Sequence, residues 1–437
     1  MPETFDQLHK RTQQRDLVAR QRMLHRKRKK TLRYVTLVSI LAVCLLVLIV
    51  LVARGCQDNH VPGESTTAST QITTLPTDPS STLPTQPIDP ETVISLTFGG
   101  DLNVTDAVVA SGELGGRYDY SKVLMDAAAL FASSDAAFLN LEGSVNGAPY
   151  GTDSASAPQE LLQALADAGV DMIQLANSFA IRNGLAGLRS TINAVHAAGM
   201  RPLGAFSSAE DFRASQGFTL CNINGVRVAI VAFTKGMDGM SLPTGGENCV
   251  NLLYKDYATT YQTVNTEGIT SVLQAAQAQK PDVTIALVHW GSEYNDYISP
   301  TQEKIAELML SEGVDAIVGT HSHFVQQIVY DQAAGTVIAY SLGDFLGNGE
   351  KAGTNYSILL HLEITKDNLT GQTRITGCDY TGLYTLTPDK DGEPMRIVQI
   401  ETAMALYENN HVSKVSERAY LNMQYAWQRI LSRVGLE

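Results

Sequence analysis

Residues 160–178 read ELLQALADAGVDMIQLANS. Glu160–Ala168 reads as a helix, Gly169 suits the left-handed position just past a helix end, and Asp171–Leu175 reads as a short apolar strand. The same grammar returns twice. Leu188–Ala198 ends at Gly199 and leads to Arg201–Leu203, and Gln302–Ser311 ends at Gly313 and leads to Asp315–Val318. Helix, glycine and buried strand in repetition predict α/β layering. Further strands are expected at Ile94–Phe98, Asp135–Leu139 and Val283–Val288. Phe218–Ile223 and Val226–Phe233, joined by Asn224-Gly225, carry a strong hairpin signal. Val325–Tyr330, Thr336–Leu342, Ser357–Ile364 and Arg374–Thr381 read as strands, and Val412–Val434 as an amphipathic helix. The predicted fold is a sheet-rich α/β sandwich with helices outside.

The rest of the 437-residue chain is of a different character. Residues 1–34 hold eleven Lys and Arg against three acids. Arg54 adds one positive charge, and the whole chain is −13, which leaves about −22 for residues 55 onward. A basic head and an acidic body point to different surroundings. The acidic body excludes nucleic acid as an expected partner, because phosphates would be repelled. Tyr34–Ala53 is twenty residues without a charge, enough to span a bilayer core of roughly 30 Å. The basic flank Arg26–Lys30 puts residues 1–33 in the cytoplasm and the main domain outside the cell. The apolar stretch is longer than a signal peptide's, so it reads as a single-pass membrane anchor. Arg54 and Gly55 make Cys56 a poor lipidation site.

Residues 54–92, rich in Pro, Thr and Ser, form an expected extended spacer. The organisation expected is thus a tail (1–33), a transmembrane helix (34–53), the spacer, an α/β domain (93–402) and a C-terminal helical segment (403–437). Five scattered cysteines do not read as a disulfide framework.

Ligands in open α/β sheets bind at the carboxyl ends of strands. Polar residues follow five of the strand runs: Asp101, Glu142, Asn177, His289, and the pair His321 and His323. All are expected at one sheet edge. If the segment is extended, His321 and His323 face the same way and reach one ion. The donors are carboxylate, carboxamide and imidazole without thiolate, which suits Mn, Fe or Zn. A carboxylate at a central strand end can bridge two such divalent ions. Each residue also has a plain structural role open to it, as a turn residue, a cap or a hydrogen-bonded histidine. His196, His361 and His411 read as structural.

Six motifs then occur in order: GGD (99–101), NLE (140–142), LANS with NG (175–184), HWGSEY (289–294), GTHSHF (319–324) and YSLGDF (340–345). The series resembles the poly-gamma-glutamate capsule synthesis family, CapA, whose pattern is similar to GD, NLE, ANNHxxDxG, HWGxE, GxHPH and YSLGNF. The resemblance covers roughly residues 93–348. It implies a metallophosphoesterase-like architecture, a two-ion site and an anionic cell-surface polymer as ligand, with a membrane synthase complex as a further partner. It also implies that Asp101, Glu142, Asn177, His289, His321 and His323 hold metal. His289 and Glu293 are the expected catalytic side chains, Glu293 orienting a ligand or moving a proton. The departures are Phe179 where the family has His, Arg182 where it has Asp, Ser322 for Pro and Asp344 for Asn. Phe179 cannot protonate a leaving group, a loss that costs about 10²–10⁴-fold. Arg182 is the expected clamp for an anionic ligand. The resemblance therefore leaves open a metal-dependent hydrolase of a phosphoester or amide-linked polymer, and a catalytically degenerate scaffold of the same fold.

Overall fold

The computed structural model describes residues 89–409 and 415–436. The basic tail, the apolar segment 34–53, all but the end of the spacer, and His411 lie outside the described residues. Among the described residues no helix is long and apolar enough to cross a membrane.

Among the described residues fourteen strands follow in chain order: β1 (Glu91–Asn103), β2 (Ala136–Glu142), β3 (Met172–Gln174), β4 (Arg201–Leu203), β5 (Phe218–Ile223), β6 (Val226–Thr234), β7 (Val283–His289), β8 (Ala316–Thr320), β9 (Ile328–Asp331), β10 (Thr336–Ala339), β11 (Asp344–Leu346), β12 (Tyr356–Asp367), β13 (Thr373–Leu386) and β14 (Arg396–Gln399). They form two sheets. One has the order β14-β13-β12-β1-β2-β3-β4, with β11 paired to β1, and the other β5-β6-β7-β8-β10-β9. The architecture is a mixed α/β sandwich of two sheets.

Side-chain alternation assembles the layers. In β6, Val226, Val228, Ile230 and Ala232 enter the core shared with the first sheet. Ala229, Val231 and Phe233 point the other way. There they meet Ile269, Leu273 and Ala276 of the helix Thr266–Ala278, and Ile305 and Met309 of the helix Pro300–Ser311. Because both faces are covered, strands such as β7 and β8 are buried throughout. The hairpin expected at Asn224-Gly225 is present in full register from Phe218↔Val231 to Ile223↔Val226.

Two expectations change. The strand expected to stop at Phe98 continues to Asn103 after a register shift, because β11 arrives as a new parallel partner with Asp101 opposite Asp344. A Cβ on Gly100 would collide with the Gly343 carbonyl oxygen, so glycine is required for that approach. The expectation that all the polar strand ends share one sheet edge is also incorrect. Asp101 and Glu142 lie in strands of the first sheet and Asn177 just after one, while His289 ends a strand of the second sheet and His321 and His323 follow another. The parallel strands of each sheet end at the same rim of the sandwich, and the site lies where the two rims meet.

At the C-terminus the helix begins at Glu417, capped by the Ser416 side chain, and runs to Val434. It buries Ala419, Met423, Ala426, Ile430 and Val434 in the main core.

Candidate metal centre

β1 carries Asp101 into the interior, where the carboxylate is wholly buried. Its Oδ1 accepts from Asn140 Nδ2 at 2.5 Å and its Oδ2 from the His321 backbone N–H at 2.9 Å. β2 ends in Glu142, also buried, two residues after Asn140 on the same face. β7 ends in His289, whose Nδ1 lies 3.0 Å from Thr320 Oγ1. Its Nε2 lies 3.1 Å from Glu142 Oε1, 3.0 Å from His321 Nδ1 and 3.0 Å from Ser178 Oγ.

The ligand atoms fall into two groups of three. Glu142, His289 and His321 form one, and Asp101, Glu142 and His323 the other, with the atoms of each group within 4.8 Å of one another. Glu142 belongs to both. His321 and His323 do not reach one point from an extended segment, as the i, i+2 spacing suggested. Both adopt left-handed backbone conformations, with φ of 89° and 60°. The turn sends one imidazole to each group.

Charge in the site is set by burial. With no ion bound, burial and the neighbouring Glu142 push Asp101 up to about 7. Burial likewise pushes Glu142 up to about 7. Burial drives His289 down to about 4 and holds His321 well below its ordinary value. His323 is the exception. Burial pulls it down, but Asp344, whose Oδ1 is 2.8 Å from His323 Nδ1, raises it to about 10, with Glu142 and Asp101 assisting.

This donor set fits divalent cations. Glu142 Oε2 is buried and has no hydrogen-bond partner among the described residues. A buried carboxylate oxygen left unpaired is costly, and a cation at either group would satisfy it. His289 Nε2 lies close to both His321 Nδ1 and Glu142 Oε1, a convergence of ligand-type atoms that a cation could occupy. The imidazoles of His289 and His321 are neutral near pH 7, as ligation requires.

The remaining expected residues take different places. Asn177 lies beside the cluster, donating to Asn140 Oδ1 at 3.0 Å and the Leu141 carbonyl at 2.6 Å. Its Oδ1 accepts from the Phe179 N–H at 3.0 Å, which leaves one lone pair for an ion. Glu293 is exposed, and its charge acts on Glu142 and His289 through space. Arg182 stands 3.8 Å from Asp238, with its guanidinium 6.0 Å from the Phe179 ring centre. His196 is exposed on its helix. His361 is held between Thr97 and Thr381 at 2.9 Å on either side. Cys221, Cys249 and Cys378 are free thiols.

Several participants were not singled out from sequence. Asn140 could have been found by period-two spacing from Glu142. In the sequence Asp344 is only a departure from the family pattern, because its partner His323 lies 21 residues away. Ser178, Thr320 and Tyr294 lie inside the quoted motifs, but nothing local marks their side chains as participants, and Lys235 lies outside the six motifs. Lys235 Nζ donates to the Gly291 carbonyl at 2.7 Å, and burial lowers its pKa. The Tyr294 ring stacks on His323 at 4.9 Å.

Among known proteins, the chain is 31% identical over 219 residues to the capsule biosynthesis protein CapA of Bacillus anthracis, covering 49% of this chain and 48% of the relative. It is 28% identical over 222 residues to the PGA biosynthesis protein CapA of Bacillus subtilis strain 168, covering 51% and 54%. The chain thus spans about half the length of the curated relatives it matches. A phosphatase structure from Mycoplasma pneumoniae is similar over 68% of this chain and 96% of its own, at 14% identity and a TM-score of 0.44. That likeness is too low to bear on the chemistry. The bacterial capsule synthesis family PGA_cap matches residues 95–349, a stretch that is more than half of the chain and contains both ligand groups, and the chain belongs to that family.

Proposed function

We propose that this chain is a membrane-anchored, extracytoplasmic capsule-biosynthesis protein whose two-ion centre engages an anionic polymer of the poly-gamma-glutamate type during its synthesis, export or attachment. The observation that carries this reading is Glu142, one buried carboxylate shared by two ligand groups and left with an unpaired oxygen. The fold reading that accompanies it is metallophosphoesterase-like, a class in which two ions sit at strand ends. Asp101, Glu142, His289, His321 and His323 would hold the ions, with Asn177 able to lend its free lone pair. Bound there, Mn, Fe or Zn would supply Lewis-acid polarisation of a phosphoryl or carbonyl oxygen. The chain's own groups set the rest. Asn140 orients Asp101, Asp344 holds the His323 ring, and Ser178 is a hydroxyl beside His289 that can bond to a ligand.

One observation favours a second reading, a binding scaffold without turnover within a membrane synthase complex. Phe179, half-buried next to Asn177 and Ser178, has no proton to give, and exposed Glu293 makes no hydrogen bond to the cluster among the described residues.

The test is made on the purified full chain, by mass spectrometry of bound metal and by turnover on a generic phosphodiester and on poly-gamma-glutamate. Metal at background levels in folded protein sinks the proposal. Metal without turnover, and turnover gained in Phe179→His, selects the scaffold reading.

A further inference from the structure

All five side chains of the two ligand groups are shut in. Asp101, Glu142, His289, His321 and His323 are between 0 and 7% exposed, and His323 is the most exposed of them. An ion can enter or leave only if something moves. What lies over His323 is the loop Gly291–Ser299. Its Tyr294 ring stacks on the His323 imidazole, with 4.9 Å between ring centres and 19° between planes, and is itself 39% exposed. One backbone bond ties the loop to the histidine turn, from the Tyr294 N–H to the Ser322 carbonyl at 2.8 Å. Side chains hold much of the rest. Lys235 donates to the Gly291 carbonyl at 2.7 Å, and buried Gln326 to the carbonyls of Asn295 at 2.8 Å and Tyr297 at 3.2 Å.

The loop is also gripped from outside the family stretch. The C-terminal helix Glu417–Val434 lies beyond residues 95–349. Its Arg433 is 2.7 Å from Asp296, and Arg429 is 3.6 Å from the same carboxylate. The Arg433 guanidinium also stands 5.3 Å from the ring centre of Phe324, the residue after His323, and that ring meets Tyr294 at 6.3 Å and 69°. Arg433 thus touches both the loop and the turn beneath it. Two features oppose this closed arrangement. Tyr294 is a bulky residue at φ 55°, a left-handed conformation that persists only where the surroundings hold it. Arg433 Nε is buried without a hydrogen-bond partner, which is costly. In favour stands the ion pair with Asp296, whose arginine side chain is only 12% exposed and therefore little screened. Gly291, at φ 80°, offers a hinge, and the helix cap at Ser299 fixes the other end.

We propose that the loop Gly291–Ser299 is a lid on the metal centre, and that the C-terminal helix latches it shut through Arg433 and Asp296. Lifting the loop takes Tyr294 off His323 and opens the Asp101–Glu142–His323 group to solvent, which gives an ion its route. The proposal rests on the reading of the centre given above. Neither Arg433 nor Asp296 belongs to a ligand group, so their pair has the same strength with and without an ion. Its loss raises the rates of uptake and release by one factor and leaves the affinity as it was.

The test is uptake and release of Zn by the full chain, followed by stopped flow with a chelating dye, together with hydrogen exchange of residues 291–299 in the metal-free chain. Asp296→Ala is expected to speed both rates about tenfold or more, with Kd unchanged. Exchange of the loop amides should quicken by a similar factor. Asp296→Ala/Arg433→Met leaves no charge buried alone, and it should match Asp296→Ala rather than exceed it, because both remove one contact. Arg433→Lys keeps a cation opposite Asp296 and should fall between. Rates equal to wild type in Asp296→Ala and in the double variant overturn the proposal. Faster release at unchanged uptake also overturns it, since that is lost affinity and not a lost latch. A chain that holds no Zn overturns the reading of the centre instead. The latch is then judged by hydrogen exchange, and equal exchange in wild type and Asp296→Ala overturns it.

Discussion

His323 Nδ1 lies 2.8 Å from Asp344 Oδ1, and both groups are buried at the junction of the two sheets. Asp344 opens β11, paired with Asp101 of β1, so the backbone register that lengthens β1 also delivers the partner of His323. With Nδ1 held, Nε2 is the nitrogen left to bind an ion.

Asp344→Ala should therefore weaken metal binding by about 10–100-fold. Asp344→Asn keeps an acceptor oxygen and should lose less. Competitive titration against a chelating dye reads both values, and equal affinity in wild type and Asp344→Ala would show that the pair plays no part in ligation.

On the two-ion proposal, Glu142→Gln should remove both ions together, because one side chain is common to both candidate groups. The metal-free variant should melt no lower than the metal-free wild type, since an amide is less costly to bury than a carboxylate. Stoichiometry by mass spectrometry and melting by calorimetry check the two halves. Retention of one full equivalent of metal would refute the shared role.

Stability of the metal-free protein should fall as pH rises above about 6.5. His323, raised to about 10, keeps a proton there that an unfolded histidine has lost. The folded state then binds more protons than the unfolded state, so a rise in pH favours unfolding. Asp101 and Glu142, raised to about 7, act in the same direction from unfolded values of about 4 upward. His289 and His321, both lowered, act in the opposite sense only below about 6.5, where unfolded imidazoles take up protons first. Melting in chelator should accordingly be lower at pH 9 than at pH 6.5, and an equal or higher value at pH 9 contradicts this assignment of charge.

Arg433→Ala should destabilise the domain by about 1–3 kcal/mol in chemical denaturation. Its guanidinium is 2.7 Å from Asp296, 3.1 Å from the Tyr356 hydroxyl and 5.3 Å from the Phe324 ring centre. Asp296 follows the Gly291–Tyr294 loop closely, so protease cleavage within residues 291–299 should also quicken. An unchanged cleavage rate would separate the C-terminal helix from the site loop.

The sequence alone determined that helices and short buried strands alternate, and that polar residues sit where strands end. Those properties are local. Side-chain period, a glycine in a left-handed cap and the hairpin at Asn224-Gly225 depend on neighbours a few residues apart. The six motifs in order pointed to the same candidate ligand side chains by resemblance. Only the tertiary structure decided that Asp101 and Glu142 come from one sheet and His289 and His321 from another, because strand partners are chosen by burial across the whole chain. It also decided that His321 and His323 part company. Their left-handed turn is imposed by contacts such as the bond from His321 N–H to Asp101, formed between residues 220 positions apart. The pairing of Asp344 with His323 and the unpaired oxygen of Glu142 are relationships in space, with no trace in residue spacing.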